Sequence, residues 1–265
     1  MIKSISCLVI ICFVQIVNAQ DAYKKRYFVK DTIKYTEKYY DERKQRTKNK
    51  EVFLTLKTEH ADKEVNDTII KIAGSRGLKS NIIFGEKNES HKLFINPWLV
   101  NSEGGYIDRD SVYYYELKNR RSVKIRFKQW SFNALSVPLK VRFGEDKTEF
   151  STGINLGALL GHTWGKTNFL HRKKIGNKQY DSQHTLGGFV GANKLDFSFE
   201  DEDGSEEDVT TASISLGLGY MYAYQKFTFG LTGGFDFGLG ENSTEWDYQS
   251  KPWLGIAVGY SLFSF

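Results

Sequence analysis

The chain has 265 residues, 15% of them aromatic, with 24 Gly, 3 Pro, 2 Cys and a formal net charge of +5. A charged fraction of 26% excludes a wholly disordered chain, and a mean hydropathy of -0.46 without a second long apolar run excludes a helical membrane bundle. The mild basicity is no nucleic-acid footprint, and no nucleic-acid partner is expected.

The chain opens on Met1-Ile2-Lys3, an apolar run from Ile5 to Val17, and Val17-Asn18-Ala19. A lysine, a short apolar core and small residues at the end predict a cleaved signal peptide over residues 1–19. Both cysteines, Cys7 and Cys12, fall inside it. The mature chain, starting at Gln20, then has no disulfide framework and no thiolate metal site, and neither a metal nor a cofactor is expected. An exported protein of this size without disulfides points to a bacterial cell envelope.

Residues 20–50 form a charged, tyrosine-rich leader. Between 21 and 50 stand 11 Lys and Arg against 5 Asp and Glu. A solvated leader is the favoured reading; Val29, Ile33 and Tyr40 also allow a short amphipathic helix. Residues 51–130 hold short β-like runs at Glu51–His60, Thr68–Ile72, Asn81–Phe84, Lys92–Trp98 and Ser111–Leu117, separated by turn-like linkers.

Beyond residue 130 the pattern changes: 19 of the 24 glycines lie there, and the period becomes two. From Val209 to Gln225, Ile214, Leu216, Leu218, Tyr220 and Tyr222 alternate with Ser213, Ser215, Gly217, Gly219 and Met221. Phe227 to Leu239 repeats the scheme, with Thr228, Gly230, Thr232, Gly234, Asp236 and Gly238 on the non-aromatic side. Asn133 to Phe143 sets Leu135, Val137, Leu139, Val141 and Phe143 against Ser136, Pro138, Lys140 and Arg142.

A soluble β-sandwich and a transmembrane β-barrel both alternate in this way. Strands of this length suit a tilted bilayer crossing. A face of Gly, Ser, Thr and Ala suits a narrow lumen better than a solvated surface. Tyr220, Tyr222 and Tyr224, with Tyr248 and Trp253, gather at strand ends as an interfacial girdle does. The expectation is an all-β, antiparallel up-and-down transmembrane barrel over residues 51–265, clearest over 130–265. Six strands are clear: 133–143, 150–163, 184–199, 209–225, 226–239 and 253–265. Val123–Lys128 and Ser111–Leu117 bring the number to eight, and earlier runs to ten, the favoured number, or twelve. One feature resists the scheme: Lys166–Gln183 is long for a periplasmic connection.

The signal peptide, the Gly-rich alternating strands and a final strand ending on Phe263-Ser264-Phe265 resemble bacterial outer-membrane β-barrels. Ala134–Val141, with its Val-Pro-Leu core, resembles a strand of the small PorT-like and OmpX-like barrels, and Lys251–Tyr260 resembles their closing strand. The resemblance covers about residues 130–265. It implies localisation in a Gram-negative outer membrane and contact with outer-membrane lipid and lipopolysaccharide. It also implies a C-terminal signal read by the barrel-assembly machinery, carried here by Tyr260, Phe263 and Phe265. One departure stands out: counting back from Phe265 gives Phe263, Ser261 and Gly259, whereas the apolar face is Leu262, Tyr260 and Val258. A bulge near Ser261, or an inward-pointing terminal pair, reconciles the two.

Lys124, Arg126, Lys128, Lys140, Arg142 and Asp236 all lie opposite their strands' apolar sides, and are expected to point into the lumen. There they plug it through ion pairs or line an anion route. Asp236 has two readings, a wetted place at the rim, which is favoured, or a buried pair with Arg142 or Lys140. Glu200–Asp208 holds seven carboxylates in nine residues and reads as a solvated loop, since the acid completing a calcium loop is replaced by Ala212. His171-Arg172-Lys173-Lys174 reads as a basic loop able to meet lipid phosphates. Ser182 and His184 share a strand face but lack a fixed orienting acid. The expected function is therefore a non-enzymatic structural, binding or narrow-channel barrel. A lipid-modifying outer-membrane enzyme and a secreted β-sandwich binding module are the alternatives.

Overall fold

The computed structural model describes residues 25–41, 46–60, 63–97, 111–144, 147–153, 155–200, 204–240 and 242–264. The expected signal peptide, Asp201–Asp203 of the acidic loop, and Phe265 lie outside them. The chain divides into two compact units, one of residues 1–128 and 166–180, the other of residues 129–165 and 181–265.

Unit 1 contains β1 (Arg26–Phe28), β2 (Thr32–Asp41), β3 (Arg46–Thr55), β4 (Lys57–Glu59), α1 (Lys63–Ser75), β5 (Leu78–Phe84), β6 (Lys92–Pro97) and β7 (Val112–Glu116). It also takes the first residues of β8 (Ser122–Phe143). Its strands neighbour one another in the order β8-β1-β5-β6-β7-β4, and β2 and β3 form a separate antiparallel hairpin from Thr32↔Thr55 to Asp41↔Arg46. Alternate residues of β1, β5, β6, β7 and β8 enter one core: Tyr27, Leu78, Ile82, Leu93, Ile95, Tyr113, Tyr115, Ile125 and Phe127, with Ile69 and Ala73 of α1. Two expectations are corrected here. The leader is not a solvated tail, because β1 pairs with both β5 and β8 and the β2–β3 hairpin follows it. Thr68–Ile72 is helical: Val65, Ile69, Ile72 and Ala73 repeat at helical spacing and meet the core, which outweighs the β preference of three isoleucines.

The open edge of this sheet is held by ion pairs on β4, β6 and β7. Lys57 pairs with Glu116, and Lys92 Nζ lies 2.8 Å from Glu89 and 3.7 Å from Glu59. The Lys57 ammonium holds the Glu116 carboxyl below its usual range. The Tyr115 hydroxyl, buried, donates to the Lys30 carbonyl, and burial pushes its pKa up.

Unit 2 holds the rest of β8, then β9 (Thr148–Ser151), most of β10 (Asn155–Leu170) and β11 (Lys178–Glu200), β12 (Glu206–Tyr224), β13 (Phe227–Gly238) and β14 (Pro252–Ser264). Strand order is β10-β11-β12-β13-β14-β8, and β10 also pairs with β8, so the six long strands form a partial ring. These are the six that the alternation picks out. Val123–Lys128 is not a separate strand, since β8 runs unbroken from Ser122 to Phe143. The long connection at Lys166–Gln183 also disappears: β10 continues to Leu170 and β11 starts at Lys178.

Glycine sets the curvature at one rung. Gly217 and Gly234 face each other across β12 and β13, and a Cβ on Gly217 would lie 2.1 Å from the Gly233 carbonyl oxygen. Strands approach there more closely than any side chain permits. The β12–β13 turn is Gln225-Lys226, with Gln225 left-handed at φ 59°.

Two bulges set which way β8 and β14 point. Leu139 pairs with Ile256 and Ser136 with Val258, so Val137 and Pro138 together oppose Ala257. Proline has no N–H for the ladder, and a bulge is where a strand tolerates it. The extra residue reverses the alternation. Before it, odd residues through Leu135 and Val137 point inward; after it, Lys140 and Arg142 do. Leu135 and Val137 are therefore interior, not outward with Leu139. The second irregularity falls between Ser261 and Phe263, as the mismatch at the final strand anticipates.

Candidate functional site: an outward apolar face around a buried ion cluster

Unit 2 has its polarity reversed relative to a water-soluble domain. The side chains exposed along β12, β13 and β14 are Leu216, Leu218, Tyr220, Phe227, Phe229, Leu231, Phe235, Leu254, Ile256 and Val258, with Leu218 67% and Phe227 75% exposed. Those buried between them are Ser213, Ser215, Thr228, Thr232 and Asp236. β10 and β11 continue the pattern, with Leu156, Leu160, Leu186 and Val190 outside and Asn155, Thr163, Gln183 and Thr185 inside.

The interior is filled along its length. At one end Gln129 donates to Gln183 (3.3 Å), and Thr163 bonds both Ser131 (2.5 Å) and Thr185 (2.7 Å). Leu135, Val137, Leu159, Phe189, Met221, Trp253 and Ala257 then form an apolar layer. Beyond it lies the ion cluster. Lys140 Nζ is 2.7 and 2.9 Å from the two oxygens of Asp236 and donates to Ser215 (2.8 Å). Arg142 Nε donates to Asp236 Oδ2 at 3.0 Å, and its second face reaches Glu149 at 3.3 Å. Ser215 donates to Asp236 Oδ1 at 2.6 Å, and Asn155 donates to Ser215 at 3.3 Å. Trp253 lies under the Lys140 ammonium at 4.2 Å and Trp246 under the Arg142 guanidinium at 5.3 Å. Two cations meet two carboxylates, so the cluster is neutral and its charged atoms have partners, the condition for burying them.

Asp236 is 0% exposed, so the rim reading is corrected in favour of the buried pair. The reason lies in the segment after it. Residues 242–251 fold back: Ser250 donates its N–H to the Asp236 carbonyl (2.9 Å), and Gln249 accepts from the Gly238 N–H (2.7 Å). Trp246 and Tyr248 are buried there with Leu195. Lys124, Arg126 and Lys128 are not in this interior. They belong to unit 1, where Val123, Ile125 and Phe127 take the core positions and the three cations face outward, Lys128 half-buried.

Aromatic rings band the outer surface of unit 2. Trp130 meets His162 (6.0 Å between ring centres), His162 stacks on Trp164 (6.1 Å), and Trp164 stacks on His184 (6.0 Å). His184 Nδ1 bonds the Tyr220 hydroxyl at 2.7 Å, and Tyr222 meets Phe229 at 5.3 Å. Tyr260, exposed, packs edge-on against Phe227 at 6.0 Å, and Phe263 stacks on Phe132 at 4.9 Å. His184 is thus engaged by this band, and no hydrogen bond joins it to Ser182. His171, expected in a basic loop, is buried in unit 1 with Nδ1 2.8 Å from Asn177 Oδ1. Among the described residues no group of three or more His, Cys, Asp or Glu is placed to hold a metal.

Comparison with family models, curated proteins and solved structures returns no match for this chain.

Proposed function

We propose that the chain is an integral outer-membrane β-barrel protein of a Gram-negative envelope, with a structural or binding role and no enzymatic one. The observation that carries this reading is the reversed polarity of unit 2. An exposed band of Leu, Ile, Val and Phe over this many strands is far larger than the apolar patch a soluble monomer leaves to water. Hydrocarbon removes that cost, and a polar, side-chain-filled interior is the counterpart expected inside a small barrel. The ring of Trp130, His162, Trp164, His184 and Tyr220 is read as an interfacial girdle. Because the interior is packed and its charges are paired, a structural or binding barrel is favoured over an open channel. On this reading the partners are outer-membrane lipid and lipopolysaccharide, with Tyr260, Phe263 and Phe265 presented to the assembly machinery.

A second reading rests on one observation. The partial ring of unit 2 holds six long strands, fewer than the eight of the smallest bacterial barrels. The apolar band could then be covered by protein, as an assembly of copies. Membrane fractionation separates the two. Recovery in carbonate-washed outer membranes, with gel mobility that changes on boiling, supports the barrel. A soluble, carbonate-released oligomer overturns it.

A further inference from the structure

In unit 1 the strand faces that point away from α1 carry a row of unbalanced charge. The antiparallel register sets Lys79 of β5 opposite Arg26 of β1, and Arg26 opposite Lys128 of β8. On the next rung Phe28 stands opposite Arg126, and Lys124 follows two residues along. Arg26, Lys79, Lys124 and Arg126 are exposed, and the half-buried Lys128 ammonium lies 5.4 Å from the centre of the Phe28 ring. Among the described residues none of these five cations forms an ion pair with an acid; the ion pairs of this sheet are on β4, β6 and β7. Like charges directly opposite one another destabilise a sheet. An anion from outside would relieve the repulsion along this Lys–Arg–Lys rung.

We propose that this face binds the phosphate groups of anionic lipid headgroups at the bilayer surface. The inference rests on the membrane reading above and adds a second, polar contact to it. Three adjacent strands spread the charges over roughly 10 Å, at a strand spacing of about 4.8 Å. That width suits an array of phosphates rather than one small anion. Guanidinium groups on Arg26 and Arg126 offer two-pronged bonds to phosphate oxygens, and lysines add point charge. Phe28 supplies an apolar step between them.

The full chain, refolded in zwitterionic detergent micelles, is titrated with phosphatidylglycerol or phosphatidylcholine, and bound lipid is counted by native mass spectrometry. Phosphatidylglycerol should bind at least tenfold more tightly, and its affinity should fall steeply with salt. Each cation near an anionic surface contributes about fivefold, so Arg26→Gln/Lys79→Gln/Arg126→Gln should weaken binding by roughly a hundredfold. The variant should keep the boiling-dependent gel mobility of the parent, which shows that it has folded. Lys57→Gln, in an ion pair elsewhere on the sheet, should bind as the parent does. Equal affinity for the two lipids, or unchanged binding by the triple variant, overturns the proposal. So does competition by free glycerol phosphate or a short DNA duplex at lower concentration than the lipid. A parent protein that lacks boiling-dependent mobility but still binds phosphatidylglycerol overturns the barrel reading and leaves this one standing.

Discussion

Replacing Asp236 by Asn tests the ion cluster that fills unit 2. The carboxylate is fully buried, 2.7 Å from the Lys140 ammonium and 3.0 Å from the Arg142 guanidinium. The amide keeps the shape but removes the charge, and presents an N–H₂ where an acceptor stood. Breaking a buried pair by removing one partner costs roughly 3–5 kcal/mol, because the other charge is left uncompensated. Here two cations are stranded, and only Arg142 retains a carboxylate, Glu149, which is 40% exposed and so weakly compensating. A loss of at least about 3 kcal/mol is expected for Asp236→Asn, most of it recoverable by Lys140→Met, which removes the second charge and leaves an apolar chain beside Trp253. Urea unfolding of the refolded protein, followed by tryptophan fluorescence and by gel mobility, measures all four corners of that cycle. A coupling of about 2 kcal/mol or more is expected between positions 140 and 236. Strict additivity, or an Asp236→Asn protein within about 0.5 kcal/mol of the parent, refutes the claim that paired charge holds the interior closed.

Other substitutions probe separate links. Leu216→Arg places a charge on the outward face and should cost about 2–4 kcal/mol if that residue lies near the bilayer midplane; refolding into vesicles at the parent's stability argues against it. Inserting an alanine between Leu139 and Lys140 turns Lys140 and Arg142 to the apolar face, so refolding yield should collapse, while deleting Pro138, which removes only the extra residue of the bulge and leaves Val137, Lys140 and Arg142 inward, should still fold. Tyr115→Phe leaves the Lys30 carbonyl without its buried donor and should cost roughly 1–3 kcal/mol. Because the folded pKa of Tyr115 is raised, its stabilisation is complete below the ordinary tyrosine pKa of about 10 and declines as pH rises above it. The parent's melting temperature should therefore drop more steeply above about pH 10 than that of Tyr115→Phe, and equal slopes would count against that assignment.

Much of unit 2 was legible because period two survives wherever no residue is inserted. Along β12 and β13 the sorting of Leu216 and Leu218 from Gly217, and of Phe235 from Asp236, holds residue by residue. It failed on β8, where one extra residue at Val137–Pro138 reverses every later position. Extrapolating the phase of Lys140 and Arg142 back through that point put Leu135 and Val137 on the wrong face. The proline inside an otherwise regular strand was the available signal. Lys124, Arg126 and Lys128 were correctly set opposite Val123, Ile125 and Phe127. What alternation cannot tell is whether the apolar side meets lipid or a protein core, and in unit 1 it meets a core. The burial of Asp236 was hidden for a different reason: it depends on Trp246 and Tyr248 folding back from a connection that has no period at all.

The central claim, that the outward face of unit 2 meets hydrocarbon, is tested most directly by spin labels placed one at a time along β12 from Ser213 to Tyr220. The refolded protein in lipid vesicles is read for collision with oxygen, which concentrates in hydrocarbon, and with a water-soluble nickel chelate. Positions 214, 216, 218 and 220 should be oxygen-accessible and shielded from nickel, while 213 and 215 should be immobile and shielded from both; Gly217 and Gly219, where a Cβ would collide with a neighbour, stay unlabelled. Nickel accessibility at 214, 216 and 218 would contradict the account, because it would place water where the apolar face requires lipid.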